Sequence, residues 1–533
     1  MTKGNREVRE LPKGWLLTKL GQVCEVVRGG SPRPMGDPKY FSGSIPFIKI
    51  ADITKIKGKT IFDAETKVNE EGSKKSRLLP RGSLILSNSG TVCIPKFLGA
   101  EACIHDGFVS FLGLPNEISK EFLFYYFQYL RPYVVQKHKQ GITQVNLNIE
   151  IVSDFDLELP PTNEQNRIVE KIEELFSDVD QGVESLKTAQ KQLKVYRQAV
   201  LKWAFEGKLT EEWRKRQSTL KTGEALLAQI KAERENRYQQ QLADWERAVK
   251  EWEAIGKVGK KPTKPSKPKE LMPLTQLELA ELPELPIGWC WASVEQLGYV
   301  QLGRQRSPQN RSKDFPTKYI RAANITENGF DLTDVLDMEF KPHEFQQYQL
   351  KSGDILLSEA SGSPEQVGKP AVWRNQIPNC CFQNTVIRFR PTYLSSEYFL
   401  LIFKNLYSNG IFSNIASGVG INHLSANKFS AIPIPLAPLE EQEQIVQEIE
   451  SRLSICDQLE ATLIENLQKA EALRQSILKQ AFEGKLVPQD PNDEPAETLL
   501  EQIRAEKSVN KNPSRKPRKT QDAQIQLDLA TDN

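Results

Sequence analysis

At 533 residues the chain is too long for one hydrophobic core and fits two to four domains. It has no run of about 18 apolar residues, so no membrane span is predicted, and its polar opening segment lacks an apolar signal core, so a cytoplasmic protein is expected. A formal net charge of +2 excludes a strong global field for nucleic acid; phosphate contacts have to come from local basic patches.

In chain order, residues 1–160 read as a first globular part. It opens on Leu11-Pro-Lys-Gly-Trp15 and contains a basic Gly/Pro loop, Arg28 followed by Gly29-Gly-Ser-Pro-Arg-Pro34. The apolar run Ser83-Leu-Ile-Leu-Ser87 predicts a strand. A polar loop, Lys137 to Asn148, precedes Pro161. Residues 161–209 predict one long helix over Glu164–Glu206. Its apolar residues Ile168, Ile172, Leu175, Val179, Val183, Leu186, Ala189, Leu193, Tyr196 and Val200 alternate steps of three and four, a coiled-coil stripe. Thr162 with Gln165 is the expected capping box, and Gly207 the expected stop.

Residues 210–284 form a charged, helix-prone insertion with Trp213, Leu226, Ile230, Trp245 and Trp252 as anchors. Its Lys/Pro run Gly256–Pro273 is expected to be extended and mobile. A second globular part, 285–437, opens on Leu285-Pro-Ile-Gly-Trp289 and carries the loops Arg304-Gln-Arg-Ser-Pro-Gln-Asn-Arg311 and Ser413 to Leu424. Residues 438–487 predict a second long helix, with Ile445, Ile449, Cys456, Leu463, Ala470, Leu473 and Ile477 on its seam. Arg452, Glu460 and Asn466 interrupt that seam, and Leu453, Leu459 and Leu467 lie beside it. Residues 488–533 read as a helical extension and a polar, partly disordered tail.

The chain repeats itself. Arg197 to Leu209 recurs as Arg474 to Leu486 with ten of thirteen positions identical, an offset of 277 residues. The same offset aligns Glu164-Gln165 with Glu441-Gln442 and Asp180 with Asp457. Upstream, Gly82-Ser-Leu-Ile-Leu-Ser87 answers Gly353-Asp-Ile-Leu-Leu-Ser358 with drifting spacing; downstream, Glu224–Glu233 answers Glu497–Glu506. Each half is therefore a divergent globular part followed by a nearly fixed helical part. An amphipathic helix of this length must bury its stripe, and its own repeat is the expected partner, packed antiparallel. The fold class is α+β: two globular α/β domains joined by two long antiparallel coiled-coil helices, a pseudo-two-fold repeat.

Catalytic signatures are absent. There is no phosphate-cradling G-x-x-x-x-G-K-[ST] loop and no G-x-G-x-x-G fingerprint. His105, His138, His343 and His423 are far apart, and the seven cysteines form no C-x-x-C pair, so no metal site is expected. An acid-x-Lys nuclease built on Asp52 and Glu65-Thr-Lys67 is a competing reading, as is a helical scaffold that binds no DNA. The loops favour DNA: Arg matches guanine edges, and Gln and Asn match adenine edges. The candidate contacts are Arg28, Arg33, Lys137, Lys139, Thr143, Gln144 and Asn146 in the first part, and Arg304, Gln305, Arg306, Gln309, Arg311, Asn422 and His423 in the second.

Leu-Pro-x-Gly-Trp, Gly-[Ser/Asp]-x-[Ile/Leu]-Leu-Ser, Pro-x-x-Glu-Gln-x-x-Ile-Val and Ala-Phe-x-Gly-Lys-Leu, all duplicated in order, resemble the specificity subunits of type I restriction–modification systems. The resemblance spans most of the chain. It implies two target recognition domains that each read half of a split, asymmetric site in double-stranded DNA. It implies that the paired helices act as a ruler and dock two modification (methyltransferase) subunits, joined by two restriction (ATP-dependent nuclease) subunits where these are present. The subunit itself is then no enzyme and binds no cofactor; S-adenosylmethionine, ATP and magnesium are expected on the partners. Glu164, Gln165, Phe205, Glu441, Gln442 and Phe482 are the expected docking and ruler positions.

Overall fold

The structure is a computed structural model that describes residues 10–138, 147–268, 270–305, 316–359, 366–416 and 423–510. It divides into two compact units, Met1–Leu186 with Glu465–Asn533, and Lys187–Ile464.

In the first unit, Leu16–Lys19 pairs antiparallel with Asp156–Leu159, so the globular part begins and ends at one place. Between them lie two sheets. One is ordered Glu25–Arg28, Phe108–Leu112, Leu84–Ser87, Pro95–Leu98, Thr60–Ile61; the other Lys67–Val68, Ile45–Ile48, Ala102–Ile104, Arg77–Leu79. Leu84–Ser87 is buried along its whole length, which is why its sequence is a continuous apolar run and not an alternation. The helix Lys120–His138 supplies the core with Phe122, Tyr125, Tyr126 and Phe127.

The second unit repeats this plan. Cys290–Ser293 pairs with Pro433–Leu436, and one sheet runs Gly298–Leu302, Val386–Pro391, Ile355–Ser358, Pro370–Val372. In the other sheet Pro316–Ile320 lies parallel to Cys381–Phe382, as Ile45–Ile48 lies parallel to Ala102–Ile104. The strand expected at 83–87 is present as Leu84–Ser87, and its repeat counterpart as Ile355–Ser358.

The long helices are Thr162–Phe205 and Leu439–Phe482, 44 residues each, or about 66 Å at ~1.5 Å per residue. The first ends at its expected glycine, and the second ends in the same way. Gly207 and Gly484 take positive φ of 70° and 64°. Lys208 N–H reaches back to Trp203 O (2.9 Å), and Lys485 N–H to Gln480 O (2.8 Å), the six-to-one bond that closes a helix around a left-handed residue. The expected capping box does not form. Thr162 lies inside the helix and donates to Glu117 O (3.0 Å), while the Gln165 side chain turns back to Pro160 O (3.1 Å).

The stripe pairs antiparallel. In the first unit Ile168, Ile172, Phe176 and Val179 share a core with Ile477, Leu478, Ala481 and Phe482. In the second, Val200, Leu201, Ala204 and Phe205 share one with Ile445 and Ile449. Across the seam Arg197 pairs with Asp457 (2.7 Å) and Glu460 (2.9 Å), and Arg474 with Asp180. At the repeat offset Arg197 answers Arg474 and Asp457 answers Asp180, so each unit makes the same bond with the two helices exchanging roles. The seam differs from expectation at Leu473, which is 50% exposed. Arg474 takes the inner position beside it, its guanidinium 4.8 Å from the Phe176 ring. Tyr196 and Leu459 are also exposed, while Leu453 and Leu467 are half-buried.

After each long helix the chain packs onto the unit in which that helix ends. Gly223 N–H bonds Gly288 O (2.7 Å), and Ala496 N–H bonds Gly14 O (3.0 Å). Leu226 and Ile230 enter the second core, as Leu499 and Ile503 enter the first. The helix Gly223–Ala254 then continues outward. Its tryptophans hold the Lys/Pro run that sequence reasoning left free: Trp245 Nε1 donates to Pro262 O (3.0 Å) and Trp252 Nε1 to Gly259 O (3.1 Å), with Lys264 and Lys261 over the two rings. Proline favours the extended path, and each indole needs an acceptor for its N–H. Replacing both tryptophans by alanine is expected to speed tryptic cleavage between Lys257 and Lys267 at least severalfold, with little change in the melting temperature. An unchanged cleavage rate would show that these bonds do not hold the run.

Candidate nucleic-acid interface

The first basic loop leaves the sheet at Arg28. A Cβ on the next residue, Gly29, would stand 2.2 Å from His105 O, so only glycine fits there. The turn it packs on, His105-Asp106-Gly107, gathers two of the predicted contacts. Arg28 Nε donates to Asp106 O (2.7 Å), and Arg33 Nη2 lies 3.8 Å from the Asp106 carboxylate, its own side chain largely in solvent. Burial holds the His105 pKa below its ordinary value, against the pull of Asp106, and Arg33, Lys49 and Arg28 push the same way. The His105 Nδ1 lies 2.9 Å from the Gly107 N–H and 2.8 Å from the Asp106 carboxylate, which ties the three residues of the turn together. Arg28, Arg33 and Lys49 make this a local basic patch of the kind a chain of +2 net charge needs.

In the second unit the corresponding loop begins Gly303-Arg304-Gln305. Arg304 is not a surface residue: it is 5% exposed, pairs with Glu344 (2.9 Å), donates to Glu339 O (2.7 Å) and stacks over Phe340. Its guanidinium is committed to the fold, while Gln305 beside it is exposed. His423 is half in solvent, with Nδ1 3.2 Å from Glu359. Lys137 lies in the helix Lys120–His138. Lys139, Thr143, Gln144, Asn146, Arg306, Gln309, Arg311 and Asn422 lie outside the described residues.

The six helix positions expected to dock partners are all turned inward. Trp15 Nε1 donates to Glu164 (3.0 Å), and Trp289 Nε1 to Glu441 (2.9 Å), which explains why Leu-Pro-x-Gly-Trp and Pro-x-x-Glu-Gln recur together. Gln442 donates to Ala437 O (2.8 Å), as Gln165 does to Pro160 O. Phe482 sits among Phe122, Tyr126 and Tyr129 at 5.2 Å from each ring, and Phe205 meets Tyr398 at 5.8 Å. The apolar side chains the long helices do expose are others, among them Val195, Trp203, Ile455, Leu459 and Ile464. A period search built on buried stripes passes over them.

The two buried glutamates differ in charge balance. Glu441, fully buried, accepts from Thr210 (2.6 Å) and pairs with Arg214 (2.8 Å). Glu164, 1% exposed, has Trp15 and a longer contact from Gln489 (3.4 Å), while the nearby Arg167 is spent on Asp493 (2.6 Å). Burial pushes the Glu164 pKa up, more than these hydrogen bonds lower it. A raised carboxyl pKa binds extra protons in the folded state, so its contribution to stability falls as pH climbs through the ordinary Glu range to the raised value. Glu164→Gln is therefore expected to be neutral or slightly stabilising at pH 7 and to flatten that pH dependence. Glu441→Gln, which strands Arg214, is expected to cost about 3 kcal/mol. Urea denaturation of the two variants at pH 4 to 7 checks both, and equal effects would show that Arg214 adds nothing.

Among the described residues no cluster of His, Cys, Asp or Glu is arranged to hold a metal ion, and no helix is long and apolar enough to cross a membrane. Each unit has an open cleft with its cross-helix Arg–Asp pair in the wall. That of the first, about 630 Å³, is lined by Lys57, Lys59, Arg131 and Glu173; that of the second, about 1090 Å³, by Lys194, Lys369 and Lys404.

Comparison with known proteins gives these features a family. A model described as "Type I restriction modification DNA specificity domain" matches twice, at residues 12–194 and 291–469, once per repeat. The chain is 24% identical over 532 residues to the Escherichia coli K12 type I restriction enzyme EcoKI specificity subunit, covering 95% of this chain and 99% of that one. It is 23% identical to the Salmonella potsdam StySPI specificity subunit, covering 95% and 99%. A solved chain from work on complex assembly and conformational transition of the type I R-M system covers 90% of this chain and all of its own at a TM-score of 0.57 and 18% identity, a likeness of fold.

Proposed function

The chain belongs to the type I restriction–modification DNA specificity family, and on that premise we propose that it reads a split, asymmetric site in double-stranded DNA through its two globular parts and directs adenine methylation, and restriction, by partner subunits. The observation that carries this reading is the duplication itself. One scaffold is built twice, with four strands of one sheet and three of the other in the same order and with the same tryptophan–glutamate bond, while the loops it holds differ in their polar side chains. A single-site reader needs one such surface, and a scaffold without DNA has no use for two unlike ones. Phosphate contacts from the Arg28–Arg33 patch position the first part, and base-edge contacts from the loops specify.

Two modification subunits, one per repeat, bring S-adenosylmethionine; restriction subunits, where present, bring ATP and magnesium. Docking falls to exposed side chains of the long helices, because Glu164, Gln165, Phe205, Glu441, Gln442 and Phe482 are occupied within the chain. Adenine-methylation mapping of cells with and without this chain tests the function. A two-part motif that disappears with the chain supports it, and an unchanged methylome counts against it. For docking, Ile455→Glu with Leu459→Glu is expected to weaken assembly with the modification subunit at least tenfold. The melting temperature of the free chain should hold, since the two residues are 54% and 50% exposed. Unweakened assembly would place docking elsewhere.

A further inference from the structure

The two globular parts share a backbone clasp down to single hydrogen bonds. Gly29 N–H bonds Phe108 O (2.9 Å), and Gly303 N–H bonds Val386 O (3.1 Å). The next residues, Gly30 and Arg304, bond Ile104 O and Phe382 O, each at 3.1 Å. His105 N–H bonds Ile48 O, and Gln383 N–H bonds Ile320 O, each at 3.0 Å. Asn88 N–H bonds Gly107 O, and Glu359 N–H bonds Thr385 O, each at 2.8 Å. A Cβ on Gly303 would lie 2.2 Å from Gln383 O, as one on Gly29 would from His105 O.

Within this fixed frame some side chains are kept and others exchanged. Ser87 and Ser358 are kept and do one structural job. Their hydroxyls donate to Thr91 O and Gln366 O, each at 2.6 Å, and accept the N–H of Ile94 (2.9 Å) and Lys369 (3.0 Å). The turn that receives the clasp carries His105-Asp106 in one unit and Gln383-Asn384 in the other, all four partly exposed. Backbone geometry does not require the exchange, since the same bonds form around both pairs. The turn lies beside the basic loop, with Arg28 and Arg33 on Asp106 and Arg304 O accepting the Asn384 N–H (3.1 Å).

We propose that His105-Asp106 and Gln383-Asn384 are specificity-determining positions, each turn presenting its side chains to base edges of its own half of the DNA site. The chemistry differs as two unlike half-sites require. Gln383 and Asn384 each carry a donor and an acceptor, the pattern complementary to an adenine edge, whereas the Asp106 carboxylate only accepts, the pattern for a cytosine amino group.

This inference rests on the DNA-reading function and is tested on the complex with its modification subunits. The wild type and the double variant H105Q/D106N, which gives the first turn the second turn's side chains, are each used to select sites from random DNA. The expected result is a changed first half-site, with the parent site weakened at least tenfold and the second half-site and the gap retained. An unchanged motif overturns the proposal while the DNA-reading function stands; if the wild type selects no two-part motif, that function falls instead. Retention of the second half-site shows that the variant is folded. Should the double variant select nothing, the isosteric D106N, which leaves the Arg28 bond to the 106 carbonyl in place, and the reciprocal Q383H/N384D are read by the same criterion.

Discussion

Each long helix begins with a glutamate buried in its first turn, and much of the architecture follows from what that carboxylate demands. A buried charge without donors is too costly to keep. The donor common to both is the indole of a tryptophan about 150 residues earlier in the chain, Trp15 for Glu164 and Trp289 for Glu441. That one bond fixes the beginning of a globular part to the end of the same part. The strand pair Leu16–Lys19 with Asp156–Leu159, and its counterpart Cys290–Ser293 with Pro433–Leu436, then closes the domain beside it. With its base clamped in this way the remaining surface is free to vary.

The helices carry the same economy. Asp180–Arg474 and Arg197–Asp457 are one interaction used twice, in the manner of a symmetric interface between two subunits, here within a single chain. Because both copies must satisfy the same contacts, substitutions in this part are constrained from two sides, and ten of thirteen residues around Arg197 and Arg474 are still identical. The loops answer to no such constraint, and in the proposed function they answer to DNA alone.

Much of the frame was legible in the sequence because periodicity and repetition report burial. Ile168, Ile172 and Val200 lie on the seam where their spacing places them, and the glycines at 207 and 484 end their helices. What failed to show was anything set by side-chain direction. Arg304 reads as a loop cation until Glu344 and Phe340 enclose it. Leu473 and Arg474 are adjacent, and only the ring of Phe176 decides which of them turns inward. Trp245 and Trp252 read as anchors of the helical insertion, and their N–H groups find the carbonyls of a Lys/Pro run that composition alone marks as free. At the candidate site Arg28 and Arg33 were visible, whereas Asp106, which brings them together, stood about seventy residues away with no motif to flag it.

The central claim is that a fixed helical frame holds two independent readers. It is tested most directly by inserting seven residues, two helical turns, into the middle of each long helix and selecting DNA sites with the assembled complex. The account predicts that both half-sites are retained and that only the gap between them lengthens. An unchanged gap, or altered half-sites with the gap kept, would contradict it.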